Sequence, residues 1–175
     1  MKIKDKFFDP FIKEIEIQKR ILSLAKRLSA DYEDKEPLFL AILNGSFVFA
    51  ADLLRAITIP VQISFIRLSS YDQLQSTGNV KEIIGLNENL FQRDIIILED
   101  IIDTGLTLSY ILEDLKNLGA NSIEIVTLLL KPEKLKTDLE IKYKGFEIPE
   151  DFIVGYGLDY DGYGRNLKEI YKIKE

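Results

Sequence analysis

An α/β fold built on a mainly parallel sheet is what this sequence predicts, and three observations carry the prediction. Short continuous apolar runs, "LFLAIL" (Leu38–Leu43) and "DIIIL" (Asp94–Leu98), have the unbroken hydrophobicity of strands buried on both faces. Between them lie stretches whose apolar residues recur at helical spacing. The two kinds of signal alternate along the chain, as βαβ units require.

Taken in order, Ile17, Ile21, Leu24, Ala25 and Leu28 mark an amphipathic helix over Glu14 to Ala30. The Leu38–Leu43 strand follows Pro37, and Asn44-Gly45-Ser46 breaks it before a helix in "FVFAADLLRAI". "VQISFIRL" alternates apolar and polar residues, which suits a strand covered on one face. Ser69 to Val80, "SSYDQLQSTGNV", is polar and contains Gly and Asn. It reads as a long loop or hairpin tip, and long loops often serve as lids. After the Asp94–Leu98 strand, Leu108, Ile111, Leu112, Leu115 and Leu118 predict a helix with Gly119 at its C-terminal cap. "SIEIVTLLL" is a further strand, stopped by Lys131-Pro132, and "DFIVGYGL" a last short one. Ligands of such sheets sit at the carboxyl ends of the strands, so the residues after each apolar run become the candidates.

Composition narrows the chemistry. The chain has 175 residues, 46% hydrophobic and 30% charged, which fits one globular domain over residues 1–175. No run of about 18 apolar residues is present, so no membrane span is expected. "MKIKDKFFDP" carries no apolar signal segment. With no Cys there is no disulfide framework, thiol nucleophile or cysteine zinc site, and a cytoplasmic location is expected. With no His, proton transfer falls to Asp, Glu, Lys or Tyr. A net charge of −6 argues against nucleic acid as the main partner.

"IIILEDIIDTGLTL" (Ile95 to Leu108) is the most informative stretch. A loop entering a helix offers free N–H groups and the positive end of the helix dipole to an anion. Thr104, Gly105 and Thr107 add hydroxyls and an open backbone, without the spacing of a Walker loop or a dinucleotide fingerprint. A plain strand–helix turn with Asp103 or Thr104 as N-cap is the alternative. Glu99 and Asp100 end a buried strand, where an unpaired charge is costly. They repel phosphate but suit sugar hydroxyls or Mg²⁺. A sugar phosphate reconciles both, its phosphate on the amides and its hydroxyls on the acids.

The same stretch resembles the phosphoribosyl-pyrophosphate motif of the type I purine phosphoribosyltransferases. "FIRLSSY" with "STGNVK", and "GFEIPEDFIVGYGLDYDGYGRNL", resemble the hypoxanthine/guanine branch, in the family's order from the Leu38 strand to about Leu167. The resemblance implies a mainly parallel central sheet flanked by helices, with a small hood formed by terminal segments. It implies transfer of a phosphoribosyl group from phosphoribosyl pyrophosphate to a 6-oxopurine, with Mg²⁺, in a homodimer or homotetramer. Glu99 and Asp100 would hold the ribose hydroxyls, and the backbone of Asp103, Thr104, Gly105, Leu106 and Thr107 the 5′-phosphate. Asp103 would be the proton-transfer residue near purine N7. Lys131 would donate to purine O6, Phe152 would stack on the base, and the Ile153 backbone would meet its edge. Asp159, with Glu99 and Asp100, would serve the metal, and Arg165 the pyrophosphate. Ser70 and Tyr71 match the lid pair. Where this branch usually reads Leu-Lys-Gly or Leu-Arg-Gly, the chain has Leu43-Asn44-Gly45-Ser46, so the pyrophosphate contact at Asn44 and Gly45 lacks a cation.

The commonplace alternatives are a solvated strand-end lysine at 131, ordinary core at 152 and 153, and a surface arginine at 165. At the level of function, two rivals stand beside the enzyme. A regulator of this fold binding phosphoribosyl pyrophosphate or nucleotide and nucleic acid would be expected to show a basic face. An aspartyl phosphotransferase acting through Asp103 would want a lysine within the loop, as in D-K-T-G-T, and none is there.

Overall fold

The computed structural model describes residues 1–70, 81–84 and 88–174. Two sheets organise it. The larger contains β3 (Leu38–Ile42), β4 (Gln62–Ser70), β5 (Lys81–Ile84), β6 (Asp94–Ile102), β7 (Ser122–Leu130) and β8 (Tyr143–Glu147), in the order β5-β4-β3-β6-β7-β8. All neighbours are parallel except β5, which returns antiparallel to β4. The smaller sheet is antiparallel, β1 (Lys2–Ile3), β2 (Lys6–Ile12), β10 (Ile170–Ile173) and β9 (Ile153–Val154), and joins both ends of the chain into a hood.

The unbroken apolar runs are buried on both faces because successive side chains alternate between two cores. Phe39 and Ala41 of β3 point into one core, with α1 (Glu14–Asp31) and α2 (Phe47–Ala56). Leu38, Leu40 and Ile42 point into the other, with α3 (Leu106–Asn117). Ile96 and Leu98 of β6 follow Phe39, while Ile95 and Ile97 follow Leu40. Truncating a side chain as enclosed as Phe39 to Ala costs about 3–5 kcal/mol. Gly119, at φ 80°, follows α3 as its left-handed terminator, as its position predicts.

Several expectations change. β6 runs on to Ile102, so Glu99 and Asp100 lie inside the strand, and Glu99 pairs with Thr127 of β7. The last predicted strand shrinks to Ile153–Val154, because Gly155 and Gly157 adopt φ of 105° and 100° and turn the chain. β1, β2, β8 and β10 carry too little periodicity to be read from sequence. β4 is covered on one face, as its alternation predicts, but the covered residues are Ser64 and Ile66, while Ile63 and Phe65 face outward. Of the Ser69–Val80 segment, Ser69 and Ser70 end β4, opposite Glu82 and Lys81 of β5, and residues 71–80 lie outside the described residues.

Candidate active site

The carboxyl ends of β3, β6 and β7 open onto a cleft of about 340 Å³ lined by Gly45, Asp100, Asp103, Lys131, Asp159 and Arg165, with Phe152 and Ile153 from the hood side. A second recess of about 120 Å³ adjoins it, lined by Glu99, Asp103, Thr104, Gly105 and Thr107. Ile101 and Asp103 line both. The candidates thus gather in one place, apart from Asn44, which is exposed, and Leu106, whose side chain faces outward. Ser70 ends β4, and Tyr71 lies outside the described residues.

Local chemistry shapes the smaller recess. Neither Asp103 nor Thr104 caps α3. The cap position is Gly105, at φ 78°, with no side-chain cap bond. The nearest substitute is Leu106 N–H to Thr104 Oγ1 at 3.5 Å, too long to satisfy the donor well. A helix start without a side-chain cap keeps its first amides for an anion, and the first turn of α3 carries no acidic residue to compete. Gly105 is needed twice over, since its backbone is left-handed and a Cβ would run into Thr137 and Leu139.

Of the two strand acids, Asp100 is buried and Glu99 half-buried. Asp100 is only 9% exposed, and burial pushes its carboxyl up to about 6. An N–H bond from Ile101 (3.0 Å) and the nearby Arg165 oppose that shift, while Asp159 adds to it. Burial, then the Asp100 charge, raises Glu99 well above the ordinary range, and Glu99 Oε2 has no hydrogen-bond partner among the described residues. Glu99 Oε2 thus still lacks a donor, whereas Asp100 keeps one from Ile101.

Lys131 is not a solvated strand-end lysine. It is 6% exposed, and its Nζ lies 3.4 Å from the Glu150 carbonyl. Phe152 is half-exposed, held from behind by Phe8 (centroids 6.4 Å) and edge-on by Tyr160 (5.8 Å). Its carbonyl accepts from Ile173 N–H at 2.9 Å. Ile153 is buried in β9. Arg165 donates to the Gly157 carbonyl (2.7 Å) and pairs with Asp159 Oδ1 (2.5 Å), while Gly162 N–H donates to Asp159 Oδ2 (2.7 Å). The Leu43–Asn44 peptide is cis.

One residue escaped the sequence reading. Lys134 Nζ lies 2.9 and 3.0 Å from the two oxygens of Asp103. The cation missing from the loop itself arrives through space, from the turn after β7. The only signal was its place three residues beyond Lys131.

Residues 12–161 match the model of the phosphoribosyl transferase domain. The chain is 45% identical over 164 residues to the hypoxanthine-guanine phosphoribosyltransferase of Bacillus subtilis, covering 93% of this chain and 91% of that one. The crystal structure of a hypoxanthine-guanine phosphoribosyltransferase from Bacillus anthracis, with HEPES in its active site, superposes with a TM-score of 0.87 at 40% identity, covering 95% of this chain and 98% of that one. A structure of Trypanosoma cruzi hypoxanthine phosphoribosyl transferase, concerned with the role of its C-terminal region in oligomeric state and activity, gives 0.88 at 31% identity, covering 99% and 95%.

Proposed function

The chain belongs to the phosphoribosyl transferase domain family, and from that premise we propose a purine-salvage enzyme. It moves the 5-phosphoribosyl group from phosphoribosyl pyrophosphate to hypoxanthine or guanine, giving IMP or GMP and pyrophosphate, within a single domain over residues 1–175. The observation that carries this reading is the pair of joined recesses. An uncapped helix start adjoins a cleft holding a buried ammonium and a half-exposed aromatic ring, and Asp103 lines both. A regulator binding nucleic acid is not favoured, since the relatives are named as enzymes and the net charge is −6.

In this reading the amides and hydroxyls from Asp103 to Thr107 take the 5′-phosphate. The ribose 2′- and 3′-hydroxyls donate to Asp100 and to Glu99, whose Oε2 has no partner among the described residues. Lys131 donates to O6, Phe152 stacks on the ring, and the Ile153 backbone meets the base edge. Arg165 and the backbone at Asn44 and Gly45 receive the pyrophosphate. The lid role of Ser70 and Tyr71 rests on the resemblance alone.

The donor set also fits Mg²⁺. Hard oxygen ligands are present in Glu99 and Asp100, with Glu99 Oε2 buried and unpartnered among the described residues, and in Asp159 across the cleft. Magnesium typically takes one or two carboxylates and completes its shell with substrate oxygens and water. When bound it neutralises charge on the pyrophosphate. Asp159 has Oδ1 on Arg165 and Oδ2 on Gly162 N–H, so it would hold the ion only through lone pairs those contacts leave free.

In the reaction the base nitrogen N9 bonds to C1′ as the bond from C1′ to pyrophosphate breaks, its electrons leaving with pyrophosphate. The N7 proton passes to the Asp103 carboxylate. A cytoplasmic location and a homodimer or homotetramer belong to the same reading. The deciding experiment incubates purified protein with phosphoribosyl pyrophosphate, Mg²⁺ and a panel of purines, followed by ultraviolet absorbance. Nucleotide should form from hypoxanthine or guanine, whereas binding without turnover would return the chain to the regulatory reading.

A further inference from the structure

The turn after β7 is stitched to the phosphate loop at three successive points. Lys131 N–H donates to the Ile102 carbonyl (3.0 Å), Lys136 N–H donates to the Thr104 carbonyl (3.0 Å), and between them Lys134 meets Asp103. Pro132 opens the turn, and Lys134 N–H closes it on the Lys131 carbonyl at 3.1 Å. Leu135, Thr137 and Leu139 then pack over Gly105. The segment starts at the cation assigned to the base and ends on the loop assigned to the sugar phosphate.

We propose that Lys134 is a positioning residue for the transfer reaction, holding the Asp103 carboxylate at the angle from which it takes the purine proton. This rests on the assignment of Asp103 above. The geometry distinguishes it from an ordinary surface pair. The ammonium donates to Oδ2 at 3.0 Å and stands 2.9 Å from Oδ1 as an ion contact without a hydrogen bond, so turning the carboxylate away would lose a directed bond as well as the charge contact. Lys134 and Asp103 keep 32% and 43% of their side-chain exposure, so screening leaves the pair little weight in global stability. Its value lies in orientation, where a misplacement of about 1 Å can cost on the order of a hundredfold in rate. The short turn makes the hold firm, because the lysine backbone is fixed by the same bonds that fix the loop.

The test is a double-mutant cycle on the full chain, read as kcat and KM for phosphoribosyl pyrophosphate, with thermal melts to establish folding. Lys134→Met should lower kcat by roughly tenfold, an oriented-group effect, and leave KM for phosphoribosyl pyrophosphate within about threefold. Lys134→Arg should restore most of the rate. In an Asp103→Asn background, Lys134→Met should change nothing further, since residues acting through one another are not additive. Wild-type kcat in Lys134→Met overturns the proposal. So does an equal loss in both backgrounds, which makes the lysine a brace of the fold, or a raised KM with kcat kept. Wild-type kcat in Asp103→Asn alone removes the assignment of Asp103 itself, a different failure.

Discussion

The Asp100 carboxyl occupies the space that a side chain at Gly45 would need. A Cβ on Gly45 would run into Asp100 Oδ2 and come within 2.5 Å of its Cγ. Close approach, not an unusual backbone, is what fixes glycine here. Gly157 repeats the relationship one layer out, since its own Cβ would strike the Gly45 carbonyl. β6 therefore meets the turn after β3 side chain to backbone, and that turn meets the loop carrying Asp159 and Arg165 backbone to backbone.

Gly45→Ala should displace Asp100 while leaving the sheet intact. The expected result is a loss of about a hundredfold in kcat/KM for phosphoribosyl pyrophosphate, the scale of a small misplacement at a reacting site. Steady-state kinetics and a thermal melt on one preparation check it. A fully active variant would show that Asp100 does not need this seat.

Stability of the ligand-free protein should fall as pH rises between about 4 and 6. A carboxyl with a raised folded-state pKa binds its proton more tightly folded than unfolded, so folding loses free energy as pH climbs from 3.8 towards about 6 for Asp100. The full effect is on the order of 3 kcal/mol, and Glu99 adds in the same direction. Asp31 and Asp94 are lowered by bonds from Tyr143 and Ser122 respectively, so their contributions are complete above 3.8 and lost only in acid. Melting temperatures across the window should decline, and less steeply in Asp100→Asn. A wild-type curve that is flat or rising there contradicts the burial argument.

Adenine should be a poor substrate. The Lys131 ammonium has only donors, and its 3.4 Å contact to the Glu150 carbonyl is weak enough to yield to a purine O6. Sites that depend on such a bond discriminate by about 10⁴. Comparable turnover of adenine and hypoxanthine in a competition assay would remove Lys131 from this role.

Asp103→Asn should cost about 10²–10⁴ in kcat, the usual worth of general acid–base catalysis. Binding of the nucleotide product should persist, because the phosphate cradle is mostly main chain. Titration of IMP and turnover measured side by side separate the two. Collapse of both together would make Asp103 a support of the loop.

Asn44→Lys should shift pyrophosphate inhibition by less than about tenfold, or 1.4 kcal/mol. Asn44 is exposed, and the part assigned to it is main-chain, beside Gly45 at the cleft wall. A shift of several hundredfold would show that charge at this position governs the leaving group.

What could be read from sequence follows physical periodicity. β3, β6 and β7 are saturated with apolar residues because both faces are covered, and α1 and α3 carry regular stripes. The phosphate loop was legible as a local string, since its donors are backbone groups ordered by Gly105. Lys134 was not, because nothing local links a turn after β7 to Asp103, 31 residues earlier. Of the hood strands only β9 was legible; β2 and β10 were invisible for the same reason as Lys134, being held by pairing across the length of the chain. β4 misleads in detail, presenting Ile63 and Phe65 to the outside and hiding Ser64. Alternation reveals that one face is covered but not which.

The pairing of β2 with β10 also sets a timetable. During synthesis, which proceeds at about 5–20 residues per second, every strand of the larger sheet has been made once Glu147 is added. The helix start that frames the phosphate cradle is older still. The backing of Phe152 waits for Ile173 to donate to its carbonyl and for Lys174 to reach Phe7. A nascent chain therefore owns a grip for phosphate before it owns a firm wall for a base, and the two halves of its recognition surface are born in that order.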